Sequence, residues 1–254
     1  MKPVYFLSDA HFGCRAIHHQ RTQERRMVTF LDAIKTKAAA VYLMGDIFDF
    51  WYEYKTVVPR GYTRLLGKIS ELTDMGVEVH FFVGNHDLWM TDYLERECGV
   101  VIHHEPVTME IYGKEFYLAH GDGLGTRSRS FKFLRYIFHN RVCQVLFSCL
   151  HPRWALELGL TWAEYSQKKH QRQLPPRFMG EDKEELLVYS RKYLESHNNI
   201  NYFVYGHRHI ELDYPLNEDS RIFIVGDWIN LYTYLKFDGE EISLHRYVEG
   251  ETKP

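Results

Sequence analysis

Short β-branched or aromatic runs alternate with segments of helical period through the first third of this 254-residue chain, and each run ends in a tight polar cluster. Val4 to Leu7, Val41 to Met44 and Val77 to Val83 read as strands, and Thr22 to Lys37 and Thr63 to Met75 as helices. This β-α-β-α-β order predicts a mostly parallel inner sheet covered by helices, because parallel neighbours need a crossover long enough to hold a helix. Functional residues then belong just past the carboxyl ends of the strands. The polar clusters stand there: Ser8-Asp9-Ala10-His11 after the first run, Gly45 to Asp49 after the second, Gly84-Asn85-His86-Asp87 after the third.

From Val107 the pattern changes to short neighbouring strands, Val107 to Tyr112 and Glu115 to Ala119, with a hairpin predicted at Gly113-Lys114. A helix over Asp182 to His197 is followed by strands at Tyr202 to Tyr205, Arg221 to Val225, Tyr232 to Phe237 and Ile242 to Tyr247, with Asp238-Gly239 as a hairpin turn. These strands predict an antiparallel second sheet. The length fits one domain over 1–254.

Composition excludes several classes. With 45% hydrophobic and 15% aromatic residues the chain has material for a large core, and a net charge of −3 argues against a surface-wide polyanion site, so no nucleic-acid partner is expected. The four cysteines, at 14, 98, 143 and 149, form no Cys-x-x-Cys pair and are expected to be reduced, buried and inert. The first apolar run is too short for a signal peptide, and Val142 to Leu150 is too short to span a bilayer, so a cytoplasmic protein is expected, at most peripheral on a membrane. One segment departs from the average. Gly125 to Gln173 holds nine Lys or Arg against two acids, together with an amphipathic pattern that includes Phe131, Phe133, Tyr136, Ile137, Phe138, Val142 and Phe147.

Histidine carries the chemistry. Of fifteen, five fall in Asp9-x-His11, Asn85-His86-Asp87, His120-Gly121-Asp122 and Gly206-His207-Arg208-His209, each after an apolar strand. A fold that directs Asp9, His11, Asp46, Asn85, His120, His207 and His209 to one edge needs a counter-charge there, since buried polar groups without partners are strongly destabilising. Seven mixed nitrogen and oxygen ligands exceed one ion but suit two, about 3.5 to 4 Å apart and sharing a carboxylate. This donor set favours Mn, Fe or Zn over Mg or Ca.

In these four blocks and Gly45-Asp46-x-x-Asp49 the chain resembles the calcineurin-like metallophosphoesterases over nearly its whole length. The resemblance implies a four-layer α/β/β/α sandwich. It also implies Asp9, His11 and His209 on one metal, Asn85, His120 and His207 on a second, and Asp46 bridging both. His86 would face the phosphoryl group and leaving oxygen, oriented by the carboxylate of Asp49. Within the family, Gly45 to Trp51, His120 to Leu124 and Gly226 to Trp228 are similar to the UDP-2,3-diacylglucosamine diphosphatase branch, which carries a helical, apolar lid after His-Gly-Asp. That likeness implies a lid over 125–180 and Mn2+-dependent hydrolysis of a nucleotide-linked glycolipid to UMP and 2,3-diacylglucosamine 1-phosphate, a step in lipid A synthesis. One position departs: the best-known members carry arginine where His86 stands.

A lid at once apolar and basic suits a substrate with two acyl chains and a diphosphate. Asp122, Arg127, Ser166, Lys168, Lys169 and Arg172 are the expected substrate contacts, although a charge run is more often a solvated face. Another phosphodiester or nucleotide substrate stands as the alternative, and a non-catalytic scaffold as a third reading, against which the complete ligand set argues. The sequence is silent on oligomeric state.

Overall fold

The computed structural model describes residues 1–125, 136–138, 140–171 and 176–248, with the backbone alone for 141 and 166–171. Eleven strands among these residues form two sheets. The first has the order β11-β10-β1-β2-β3-β4, from β1 (Val4–Leu7), β2 (Ala40–Leu43), β3 (Glu78–Phe82), β4 (Val101–His103), β10 (Thr233–Phe237) and β11 (Ile242–Arg246). β1 to β4 are parallel, joined by helices α1 (Gln20–Ile34), α2 (Thr63–Asp74) and α3 (Tyr93–Cys98), and β10 adds to β1 antiparallel.

The second sheet, β5-β6-β7-β9-β8, comprises β5 (Val107–Ile111), β6 (Lys114–Leu118), β7 (Tyr202–Tyr205), β8 (Glu211–Pro215) and β9 (Arg221–Val225). It is mixed, which corrects the antiparallel expectation: β6, β7 and β9 run parallel to one another and only the edge strands β5 and β8 reverse. The helix α6 (Glu185–Leu194), inside the predicted helical segment, is the crossover that makes β6 and β7 parallel, and β7 and β9 are parallel because the chain first runs out to the edge strand β8 and turns back beside β7.

Alternation along the strands builds the layers. Tyr5, Leu7, Val41, Leu43, Val79 and Phe81 face outward onto Met27, Phe30 and Leu31 of α1 and Leu65, Ile69 and Leu72 of α2. Val4, Phe6, Tyr42, Leu235 and Phe237 face inward and meet Phe116, Leu118, Val204, Phe223 and Val225 of the second sheet. The far side of that sheet, Tyr117, Phe203, Tyr205, Ile222 and Ile224, packs on Leu186 and Leu187 of α6. Helix, sheet, sheet and helix are the four expected layers. Trp51 and Trp228 are buried in the first of these cores.

Turn positions needed adjustment. Ile111 pairs with Lys114, so the β5–β6 hairpin turns at Tyr112-Gly113, both at positive φ (52° and 76°), one residue earlier than expected. This is the two-residue geometry that matches strand twist. A Cβ on Gly113 meets nothing within 4 Å, so Gly113→Ala carries only the backbone cost of the left-handed region, an expected loss of about 1–2 kcal/mol in urea unfolding. β10 and β11 are joined by four residues, because Phe237 pairs with Ile242 and the Asp238 carboxylate accepts from the amides of Glu240 and Glu241.

Between β6 and α6 lie α4 (Arg141–Ser148) and α5 (Pro152–Gln171). Asn140 caps α4 by accepting from the amides of Val142 and Cys143, and Pro152 opens α5 rather than interrupting a helix, a position where its missing N–H costs nothing. Cys14 and Cys98 are buried as expected, whereas Cys143 is half-buried and Cys149 exposed, since the helices carrying them have a solvent face.

Candidate metal centre

The carboxyl ends of β1, β2 and β3 in one sheet meet those of β6, β7 and β9 in the other, and each is followed by one of the polar clusters. Parallel strands put all these ends on one side. The loops are strained there. Asp9, His11, Asp46, His207 and His209 all have positive φ, between 46° and 65°, and non-glycine residues stay in that region only where their surroundings hold them.

Close approach fixes two glycines. A Cβ on Gly84 would stand 2.2 Å from Asp46 Oδ1, and one on Gly206 would stand 1.9 Å from Ser8 Oγ and 2.6 Å from Asp9 Oδ2. The loops therefore touch backbone to carboxylate. The Asp46 Oδ1 accepts from the His86 amide at 2.9 Å, and Asp9 Oδ2 accepts from the His207 amide at 2.8 Å. Asp87, buried, ties two loops together by accepting from the amides of Gly84 at 2.7 Å and Ile47 at 2.9 Å. Burial and the neighbouring Asp46 charge push its carboxyl up to about 7.

Three of the imidazoles have Nδ1 turned outward to an acceptor. His120 Nδ1 donates to the Met44 carbonyl at 2.8 Å, His11 Nδ1 meets Asp49 Oδ1 at 3.1 Å, and His209 Nδ1 stands 3.5 Å from Asp227 Oδ2. The Nε2 atoms then point inward: His120 and His11 lie 3.3 and 3.6 Å from Asp46 Oδ2, and His209 lies 3.4 Å from Asp9 Oδ1. Outer partners of this kind fix the tautomer and ring direction of a ligating histidine. Three groups offer converging ligand atoms within 4.8 Å: Asp9, His11 and His209; Asp46, His120 and His207; and His11, Asp46 and His86.

Inside the cluster, Asp9 Oδ1, His11 Nε2, Asn85 Oδ1 and His120 Nε2 are buried with no hydrogen-bond partner among the described residues. Lone pairs buried unsatisfied at one point are costly unless a cation meets them. The residues present therefore fit divalent metal. Without an ion, the carboxylates and imidazoles serve as each other's counter-charges. Burial would raise the Asp46 carboxyl, but the imidazoles of His120, His86 and His11 hold it well below the usual range. Burial likewise opposes charge on His120, yet Asp46 and Asp9 raise it to about 10, whereas burial and the His120 charge press His207 down to about 4.

His86 is placed differently. Its ring meets that of His11 edge-on at 4.6 Å, and its Nδ1 donates to the main-chain carbonyl of Asp49 at 2.9 Å. The Asp49 carboxylate is 3.6 Å away and is hydrogen-bonded to His11 instead. Asp49 thus orients His86 through its backbone. Asp227, in Gly226-Asp227-Trp228, was legible as a motif but not as a support: besides facing His209, it accepts from the amides of Ile229, Asn230 and Leu231.

Of the expected substrate contacts, Asp122 lines a cavity of about 140 Å³ with His120, Leu88 and His103. Ser166, Lys168 and Lys169 lie on α5, and Arg127 and Arg172 fall outside the described residues. The helices α4 and α5, with Phe138 just before them, rest on the loops that carry the cluster. Arg15 pairs bidentately with Glu157 at 2.8 and 2.6 Å, the Trp89 indole donates to the Phe138 carbonyl at 2.8 Å, and the Tyr52 hydroxyl donates to the Gln144 carbonyl at 3.1 Å. Gly159 seats α5 on the Phe50 ring, where a Cβ would come within 2.2 Å. Outward, Trp154, Leu158, Trp162 and Tyr165 are exposed.

The model of the calcineurin-like phosphoesterase family matches residues 2–211. A Porphyromonas gingivalis protein named UDP-2,3-diacylglucosamine hydrolase is 39% identical over 251 residues, covering 95% of this chain and 96% of that one. Proteins of the same name from Neisseria meningitidis serogroup C and Haemophilus influenzae are 30% and 26% identical, each covering 94% of this chain and 96% of the relative. With the ligand cluster in the loops that the family model spans, the chain belongs to the calcineurin-like phosphoesterase family and is a metal-dependent hydrolase.

Proposed function

We propose that this enzyme hydrolyses the diphosphate of UDP-2,3-diacylglucosamine to UMP and 2,3-diacylglucosamine 1-phosphate, using two Mn2+ ions. The chemistry rests on one observation: ligand groups from five loops share Asp46 and His11 and leave four lone-pair atoms buried without hydrogen-bond partners among the described residues. The substrate rests on the relatives that carry its name. Asp9, His11 and His209 would hold one ion and Asn85, His120 and His207 the other, with Asp46 the carboxylate available to both. When bound, such a pair acidifies water and neutralises charge on the phosphoryl oxygens during in-line displacement.

The chain's own groups do the rest. Asp49, Met44 and Asp227 hold the ligand imidazoles by their Nδ1 atoms, so that their Nε2 atoms stay directed inward before substrate arrives. His86, fixed at Nδ1 by the Asp49 carbonyl, keeps Nε2 as the atom that gives a proton to the oxygen released when the P–O bond breaks. Its main-chain amide donates to Asp46, which holds the backbone that carries the ring beside the cluster. The segment 125–180 serves as a lid whose apolar residues receive the acyl chains and whose basic residues face the diphosphate, with Asp122, Arg127, Ser166, Lys168, Lys169 and Arg172 as substrate contacts. Among the described residues no helix is long and apolar enough to cross a membrane. The enzyme meets its amphiphilic substrate at the cytoplasmic membrane surface through the exposed aromatic face of α5.

Anaerobic incubation with the glycolipid and Mn2+ should release UMP, at a rate that rises with detergent. Turnover of bis(p-nitrophenyl) phosphate with none of the glycolipid would assign the enzyme to another phosphodiester. Chelation provides a second measurement: Mn2+ at 100 times its dissociation constant should stabilise the fold by about 2.7 kcal/mol per site, read as a rise in melting temperature reversed by EDTA.

A further inference from the structure

The Gly206–His209 turn carries two imidazoles with a charged residue between them. His207 and His209 are both left-handed, at φ 65° and 51°. Two contacts hold the main chain on the metal side: the Gly206 amide donates to the His120 carbonyl at 2.9 Å, and the His207 amide to Asp9 Oδ2 at 2.8 Å. The third anchor lies on the other side. Arg208 Nε donates to Glu184 Oε1 at 2.7 Å and Nη2 to Oε2 at 3.3 Å, with the Glu184 side chain fully buried and that of Arg208 31% exposed.

Glu184 immediately precedes α6, and its neighbours brace the same region. A Cβ on Gly125 would lie 2.6 Å from the Glu185 carbonyl oxygen, and one on Gly121, next to His120, would lie 3.3 Å from the Leu186 methyls and 3.6 Å from His207 Cβ. The start of α6 is thus a platform beneath His120 and His207. Arg208 is drawn toward it while the two flanking histidines face Asp46 and Asp9.

We propose that Glu184 is a positioning residue for the metal centre: by clamping Arg208 it fixes the turn that presents His207 and His209. This rests on the reading of those histidines as metal ligands. A two-point carboxylate–guanidinium contact sets direction as well as distance, which a single hydrogen bond or a point charge does not. Without it the two left-handed residues lose a restraint that keeps them in a disfavoured conformation, and the turn relaxes away from the ions.

The test is calorimetric titration of metal-free protein with Mn2+, beside steady-state kinetics. Glu184→Gln should bind Mn2+ about tenfold more weakly, and at saturating Mn2+ its kcat should fall while KM stays within twofold. Arg208→Lys keeps the charge but not the fork and should show the same loss, which preserves the test if Glu184→Gln does not fold. In Glu184→Leu/Arg208→Met no buried charge is stranded, and weak binding should persist. Wild-type affinity in that double variant, or in a folded Glu184→Gln, overturns the positioning role, as does a fall in metal-free melting temperature with Mn2+ affinity unchanged. Should the wild-type protein bind no Mn2+, the ligand reading falls first and this inference with it.

Discussion

Asp46→Asn should lower turnover by about 10³-fold and reduce Mn2+ stoichiometry below two, because no other carboxylate stands within reach of both His11 and His120 among the described residues. Asparagine keeps the shape and still accepts from the His86 amide, so the loop survives while the shared charge is lost. The metal-free protein gives an independent measurement. The Asp46 carboxyl is held well below its ordinary value, so its contribution to stability is present above about pH 4 and is lost as pH falls further. Its partner His120 is raised to about 10, so the same attraction is fully present below about pH 6.5 and is lost as pH rises toward 10. Urea unfolding in EDTA should therefore show the largest gap between wild type and Asp46→Asn from pH 4 to 6.5. A gap that does not change with pH would contradict the charge assignment.

His86→Ala should cost about 10²- to 10⁴-fold in kcat with two Mn2+ still bound, the range for loss of a positioned proton donor. The discriminating readout is metal content. His86 also converges with His11 and Asp46 within 4.8 Å, and a variant that loses an ion together with its activity would move His86 from proton transfer to ligation.

Much of this site could be read from the sequence because strand ends are easy to see: a β-branched run followed by Asp-x-His or Gly-Asn-His-Asp locates its polar residues to within one or two positions. What assembles the ends is less visible. Glu184 and Arg208 are ordinary charges in a sequence, and only the fold pairs them across 24 positions. Asp49 reads as a carboxylate beside His86, but the loop's main chain reaches that ring first and leaves the side chain to His11. The edge strands β4 and β8 leave no clear mark in the sequence because they are half-solvated, with alternating or weakly apolar patterns. The parallel course of β6 and β7 depends on a crossover helix whose boundaries the sequence blurs by three residues at each end, and that of β7 and β9 on the detour through β8.

The seat of α5 on Phe50 has a bearing on how such enzymes diverge. A helix that rests on the residue next to Asp49, through a position with no side chain, cannot be exchanged as a detachable module. Any recombinant that imports a new α5 must bring positions 50 and 159 from the same parent, or the ring and the helix will compete for one volume. Diversity in α5 is therefore tied to the loop that carries Asp49 and should be inherited with it.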